Sequence, residues 1–315
     1  MIELERMDPE IRGLVGKLKA VDLSKPWTRA LLSLAPALMP TKRVPGVTLT
    51  KVHEHGVRVR TYRPDNASGA GLYWIHGGGL IGGAAPMDDL FCGETARQLG
   101  VTVVSVEYRL APKHPFPAAH DDVYTGWLWF LNHLTAWDLE RDRIAVGGQS
   151  AGGGLAAALV QRLVDENQPV AAQWLWTPML DDRTAYKTDL DAIEHLVWDN
   201  RANRYGWNSY LRAVDRSAPP PYSVPGRRTD LAGMPPTWVY ASDIELFHDE
   251  DVEYAARLRS ADVDTTLEIV PGVPHAVEST APDTEPARKI RATGRDWLAA
   301  QIGTAATSVP GSDAA

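Results

Sequence analysis

The stretch Arg143-Ile144-Ala145-Val146-Gly147-Gly148-Gln149-Ser150-Ala151-Gly152-Gly153-Gly154-Leu155 decides the fold. Residues 143–146 read as a short buried strand, and the apolar pattern over 153–164 reads as a helix. Between them, Gly148-Gln149-Ser150-Ala151-Gly152 has the form G-x-S-x-G with a strand before it and a helix after it. A strand that turns straight into a helix holds its central residue in a strained conformation, and small flanking residues leave room for the close backbone approach. The Ser150 hydroxyl then projects at the carboxyl end of the sheet. Free N–H groups of the first helical turn, beginning at Ala151, point to the same place, where negative charge can develop. The five letters alone are a weak signal, because a plain glycine-rich turn can share them. The flanking strand and helix give them meaning.

Outward from this turn, strand and helix alternate. Buried strands are expected at 72–75, 101–106, 172–176, 237–240 and 267–270, with helices at 90–99, 121–134, 249–260 and 286–302. An alternating pair, 47–53 and 57–63, reads as a hairpin turning near His55-Gly56. The rhythm predicts a mostly parallel sheet of about eight strands covered by helices on both faces. Two segments depart from it. Residues 1–45 read as helical, with Asp8 as N-cap, Pro9 at the first helical position and Ile11, Leu14, Val15 and Leu18 at helical spacing. Residues 181–228 are too long for a crossover and rich in Trp, Tyr, Asn and Arg. Both are expected to form a helical cap over a core of 46–180 and 229–302. The small, polar stretch 303–315 is expected to be a disordered tail.

Three further groups carry chemistry. His76-Gly77-Gly78-Gly79 follows the strand 72–75, so a side-chain-free backbone can lie against a ligand and aim N–H groups at an oxyanion. The expected donors are Gly77, Gly78 and Ala151. A phosphate loop is the competing reading, but its lysine-containing and dinucleotide-binding patterns are both missing. A serine hydroxyl needs a base within hydrogen-bond reach. In the order serine, acid, histidine, only His195, His248 and His275 of the nine histidines are eligible. His275, in the loop after the last strand, suits the role. The acid is expected after the strand 237–240, where Asp243 and Glu245 both qualify. Spacing does not choose between them.

Composition bounds the partners. With 315 residues, 44 % hydrophobic, the chain can bury a sizeable core, and nothing marks a break between two cores. A net charge of −8 argues against nucleic acid, which calls for clustered Lys and Arg. No apolar run approaches the ~20 residues that span a bilayer, and the acidic N-terminus is no signal peptide. The single cysteine, Cys92, suits a reducing cytoplasm and reads as a buried thiol. His53 and His55 lack further ligands nearby, so no metal is expected.

Together, His76-Gly77-Gly78-Gly79, Tyr108-Arg109-Leu110-Ala111-Pro112, His114-Pro115-Phe116-Pro117-Ala118-Ala119, Ser150-Ala151-Gly152-Gly153 and the His275 loop resemble the hormone-sensitive-lipase-like esterases, the H-G-G-G branch of the α/β-hydrolases. The resemblance spans about 8–301 of the chain. It implies an α/β-hydrolase fold with a cap, a serine carboxylesterase acting on a small-molecule ester without cofactor or metal, and a possible homodimer through the edge strand 267–270. The family's D-P-L-x-D-E stretch matches Glu245-Leu246-Phe247-His248-Asp249-Glu250 when Asp249 and Glu250 are aligned, which implies Glu245 as the acid. The chain departs from the family at Gln149, where Asp is usual, and at Lys113, where Glu is usual.

The expected chemistry is attack by Ser150 on an ester carbonyl, His275 taking and returning the proton, and hydrolysis of the acyl-enzyme by water. An enclosed, capped pocket implies short to medium acyl chains. The cap aromatics Tyr186, Trp198, Tyr205, Trp207 and Tyr210 are expected mainly to pack the cap onto the core. The same triad serves amides and acyl-peptides, so that alternative stays open. A non-catalytic receptor would be expected to have lost a triad member, and none is missing.

Overall fold

The computed structural model describes residues 4–304 except 19–21 and 24. The expected tail falls outside the described residues from 305 onward. The strands are β1 (Val47–Glu54), β2 (Val57–Pro64), β3 (Gly71–Ile75), β4 (Thr102–Val106), β5 (Ile144–Gln149), β6 (Gln173–Trp176), β7 (Thr237–Ser242) and β8 (Thr265–Val270). They form one sheet in the order β1-β2-β4-β3-β5-β6-β7-β8. Pairing is parallel from β4 to β8, and β2 runs antiparallel to both β1 and β4. The β1–β2 hairpin turns through His55 (φ 48°) and Gly56 (φ 82°), both positive as the tightest hairpin loops require.

The helices are α1 (Pro9–Arg12), α2 (Pro26–Leu34), α3 (Asp89–Leu99), α4 (Ala118–Asn132), α5 (Ala151–Asp165), α6 (Asn200–Tyr210), α7 (His248–Ser260), α8 (Val277–Thr280) and α9 (Glu285–Gln301). Helix α1 starts as its sequence dictates, with the Asp8 carboxylate accepting from Glu10 N at 2.9 Å and Pro9 next in line. It ends earlier than the apolar spacing suggests. The chain turns at Gly13 and continues as a single 3-10 turn, Val15–Lys17, so Ile11 and Leu18 reach the core without one continuous helix. The segment 181–228 contributes α6 and short 3-10 turns.

Period-two alternation divides the core into two layers. Tyr73, Ile75, Val104, Val146 and Leu175 pack on one face of the sheet with apolar residues of α4, α5 and α7. Leu72, Trp74, Val103, Ala145, Trp174 and Trp176 pack on the other with those of α3 and α9. Each large side chain so buried contributes roughly 1.5–3 kcal/mol relative to exposure.

This architecture sets two strand ends side by side. Ile75 at the end of β3 pairs in register with Gly148 in β5, so His76-Gly77 lies beside Gln149-Ser150. The contact tolerates no added atoms: a Cβ on Gly152 would stand 2.1 Å from the Ile75 carbonyl oxygen and 2.4 Å from that of His76. Gly152→Ala is therefore expected to lose about 1–3 kcal/mol or more in urea unfolding. Gly16→Ala, whose new Cβ meets nothing within 4 Å, should change stability by less than about 0.5 kcal/mol. Equal effects of the two substitutions would contradict the close packing.

Candidate active site

Ser150 occupies the N-cap of α5 with φ 56° and ψ −123°, a conformation side-chain-bearing residues rarely adopt. Hydrogen bonds hold it from both sides. Ser150 N donates to Trp176 O at 2.8 Å, and its carbonyl accepts from Met179 N and Gly154 N at 2.9 and 3.0 Å. A Cβ on Gly148 would meet the Gly152 oxygen at 2.3 Å, so the backbone can reverse this tightly only where both positions are glycine. The turn anticipated at Gly148–Gly152 is thus present, and strand β5 runs up to it through Gln149.

His275 reaches this serine from the loop after β8. Its Nε2 lies 2.8 Å from Ser150 Oγ, and its Nδ1 lies 3.0 Å from Glu245 Oε2. All three side chains are buried, and Phe247 meets the imidazole edge-on at 5.2 Å between centroids. The alternative carboxylate is engaged elsewhere. Asp243 Oδ1 accepts from Gly272 N at 2.7 Å, and Oδ2 pairs with Arg6 at 3.3 Å. Sequence spacing left Asp243 and Glu245 equal; the fold brings Glu245 to the histidine.

The Gly77-Gly78-Gly79 backbone passes directly over the serine. A Cβ on Gly77 would lie 3.3 Å from Ser150 Cβ, and Gly78 and Gly79 have φ of 125° and 61°. The amino end of α5, beginning at Ala151, starts at the same serine. Tyr108 braces the loop from beneath. Its hydroxyl donates to His76 O at 2.9 Å, and its ring stacks on the His76 imidazole at 4.3 Å. Glu107 adds a tie by accepting from Ala85 N at 3.1 Å. The Tyr108-Arg109-Leu110-Ala111-Pro112 motif marked this stretch, but not its bracing role.

Gln149, the departure from the usual aspartate, has a structural counterpart. Its amide donates to Glu278 Oε1 and, at 2.8 Å, to Ser279 Oγ, tying the serine turn to the segment just after His275. Sequence reading missed Glu278, three positions beyond the histidine, because an isolated acidic letter does not reveal burial. It also missed Asp251. That carboxylate is buried beyond Glu245 and Glu250, and neither of its oxygens has a hydrogen-bond partner among the described residues. Lys113, the second departure, is exposed at the rim of a cavity of about 610 Å³ that also touches α2, Gly83 and Tyr205.

The cap aromatics divide. Tyr186 is half exposed, while Trp198, Trp207 and Tyr210 are buried. Trp198 fills the space over Gly79, where a Cβ would stand 2.1 Å from its ring. Trp207 and Tyr210 join Leu80, Leu155, Met179 and Ala151 around a cleft of only about 10 Å³. Cys92 is wholly buried, and burial pushes its thiol well above the ordinary range, which makes it inert.

Comparison with known proteins agrees with this geometry. The sequence pattern of a family described as alpha/beta hydrolase fold matches residues 72–279. Esterase LipI of Mycobacterium tuberculosis is 32 % identical over 201 residues, covering 64 % of this chain and 63 % of that protein, so the chain spans somewhat less than two thirds of LipI. An ethyl acetate hydrolase of Pseudomonas putida is 32 % identical over 245 residues, covering 73 % and 74 %. The solved structure of a bacterial heroin esterase superposes with a TM-score of 0.86 at 35 % identity, over 95 % of this chain and 99 % of that one.

Burial first, then the charges of Glu245 and Glu250, push the Asp251 carboxyl well above its ordinary value. The folded chain therefore keeps a proton that the unfolded chain releases above about pH 4. With fewer protons bound in the unfolded state, stability falls as pH rises from there toward the folded value. Asp251→Asn is neutral throughout. It is expected to raise the melting temperature at about pH 8 and to change it little at about pH 4. Thermal unfolding at both values checks this, and an equal offset at the two would contradict it.

Proposed function

The chain belongs to the α/β-hydrolase fold family, in its hormone-sensitive-lipase-like esterase branch, and is a carboxylesterase; from that premise we propose that Ser150, His275 and Glu245 are its catalytic triad. The observation that carries the assignment is the imidazole bridging Ser150 Oγ and Glu245 Oε2 at 2.8 and 3.0 Å. Ser150 attacks the ester carbonyl as His275 Nε2 takes its proton. The N–H groups of Gly77, Gly78 and Ala151 receive the oxyanion, and loss of one such donor typically costs ~10²–10³ in turnover. His275 passes the proton to the departing alcohol, then activates water against the acyl-enzyme. Glu245 fixes the imidazole tautomer and stabilises the imidazolium.

The segments 1–45 and 181–228 act as the cap over the core 46–180 and 229–302. The substrate is a small-molecule ester with a short to medium acyl chain. The narrow cleft beside Ala151, walled by Trp207 and Tyr210, supports this, because a longer acyl chain would have to displace more of that wall than a short one. No helix among the described residues is long and apolar enough to cross a membrane. The single, buried cysteine supports a cytoplasmic setting, and the net charge of −8 supports the reading that nucleic acid is not a partner.

Ser150→Ala is expected to lower hydrolysis of p-nitrophenyl butyrate by about 10⁴-fold or more, with His275→Ala comparable. Glu245→Ala should cost more than Asp243→Ala, and acetyl to hexanoyl esters should outrun decanoyl esters. Undiminished turnover by folded Ser150→Ala, or a larger loss from Asp243→Ala, would refute the assignment.

Two copies are proposed to pair along β8, the sheet edge, where Ile269 is 44 % exposed and unpaired backbone groups offer a template. Light scattering is expected to give twice the chain mass, reduced by Ile269→Lys. A monomer at all concentrations would contradict the pairing.

A further inference from the structure

Helix α2 turns a run of large apolar side chains to solvent. Trp27, Leu31 and Leu34 are 63, 57 and 64 % exposed, and Leu38, just beyond the helix, is 83 % exposed. Steps of four, three and four residues keep them on one side of a helical path. The opposite side is committed. Leu32 O accepts from Gly83 N at 3.2 Å, and a Cβ on Gly82 would stand 2.4 Å from Leu32 Cγ. The inner face of α2 is thus clamped to the chain that continues from Gly77-Gly78-Gly79, while the outer face has no cover among the described residues. Scattered exposed leucines need no explanation; four large apolar side chains in one stripe do.

Charge indicates what meets this stripe. Residues 17–43 hold six Lys or Arg and one acid, in a chain whose net charge is −8. Lys17, Lys25, Lys42 and Arg43 are exposed. A tryptophan-bearing apolar stripe in a basic surround is the pattern of a helix lying in an anionic lipid interface. A second copy of the chain fits worse, because a two-fold contact through this stripe would set the same positive segment against itself.

We propose that α2 and Leu38 dock this protein on an anionic lipid surface. Ala30, Leu34 and Ala37 line the cavity of about 610 Å³ that extends to Gly83 and Ala84. Docking therefore turns this cavity toward the bilayer, and esters partitioned at the headgroup level meet it first. That last consequence rests on the ester-hydrolase reading; the docking itself does not.

The test is co-sedimentation of the full chain with vesicles, alongside hydrolysis of soluble p-nitrophenyl butyrate. Wild type should sediment with phosphatidylcholine–phosphatidylglycerol vesicles and at least about tenfold less with phosphatidylcholine alone. Trp27→Ser/Leu31→Ser/Leu38→Ser should lose about tenfold or more of the binding while its turnover of the soluble ester is unchanged. Lys17→Glu/Arg43→Glu, which leaves the apolar stripe intact, should also weaken binding, and added salt should weaken that of wild type. Failure of wild type to bind anionic vesicles, or wild-type binding by either variant, overturns the proposal. So does a dimer that the apolar substitutions convert to monomer without any vesicle binding. Because soluble-ester turnover is read separately, loss of docking and loss of catalysis cannot be mistaken for each other.

Discussion

The reversal of the chain at Ser150 is the constraint on which the rest of the site depends. A backbone with φ 56° and ψ −123° holds the hydroxyl up at the end of β5. It exists because Gly148 and Gly152 let three carbonyls, those of Gly152, Ile75 and His76, approach where a methyl group would collide. Three hydrogen bonds, one through the serine N–H and two through its carbonyl, fix the turn to the neighbouring strand, the segment after it and the first turn of α5. The strain is local, and the surrounding sheet over-determines it.

Everything else arrives by the topology of the parallel sheet. Because Ile75 pairs with Gly148, the glycine loop after β3 must pass beside the serine. Because β7 and β8 follow at the same carboxyl edge, the loops bearing Glu245 and His275 converge on it from the other side. Gln149 and Glu278 then join the serine turn to the histidine loop directly. The result is an imidazole that can hydrogen-bond at both ring nitrogens without any rearrangement of the backbone, which is the preorganisation that acyl transfer exploits. Helix α2 is tied to the chain a few residues beyond the glycine loop by one hydrogen bond, from Gly83 N to Leu32 O.

Much of this was legible in the sequence, for identifiable reasons. The elbow, the glycine loop and His275 are written as short motifs, and the alternation of strand and helix along the chain as strong periodic patterns; the order of the strands within the sheet is not written there. Local rules were weaker where tertiary contacts decide. The apolar spacing at Ile11, Leu14, Val15 and Leu18 suggested one helix, yet Gly13 ends α1 and the core accepts Ile11 and Leu18 separately. Asp243 and Glu245 could not be separated by spacing, since what distinguishes them is the Gly272 N–H and Arg6 that occupy Asp243. The family resemblance favoured Glu245 on alignment alone. Glu278 and Asp251 carried no signal, because a buried acid and a solvated one are the same letter until the fold encloses it.

The measurement that tests the account most directly is labelling with an active-site-directed fluorophosphonate, read by mass spectrometry of the intact chain and its peptides. The account predicts one adduct, on Ser150, formed quickly at neutral pH and slowly when His275 is replaced by alanine. An adduct on another residue, or steady ester turnover with Ser150 unlabelled, would contradict it.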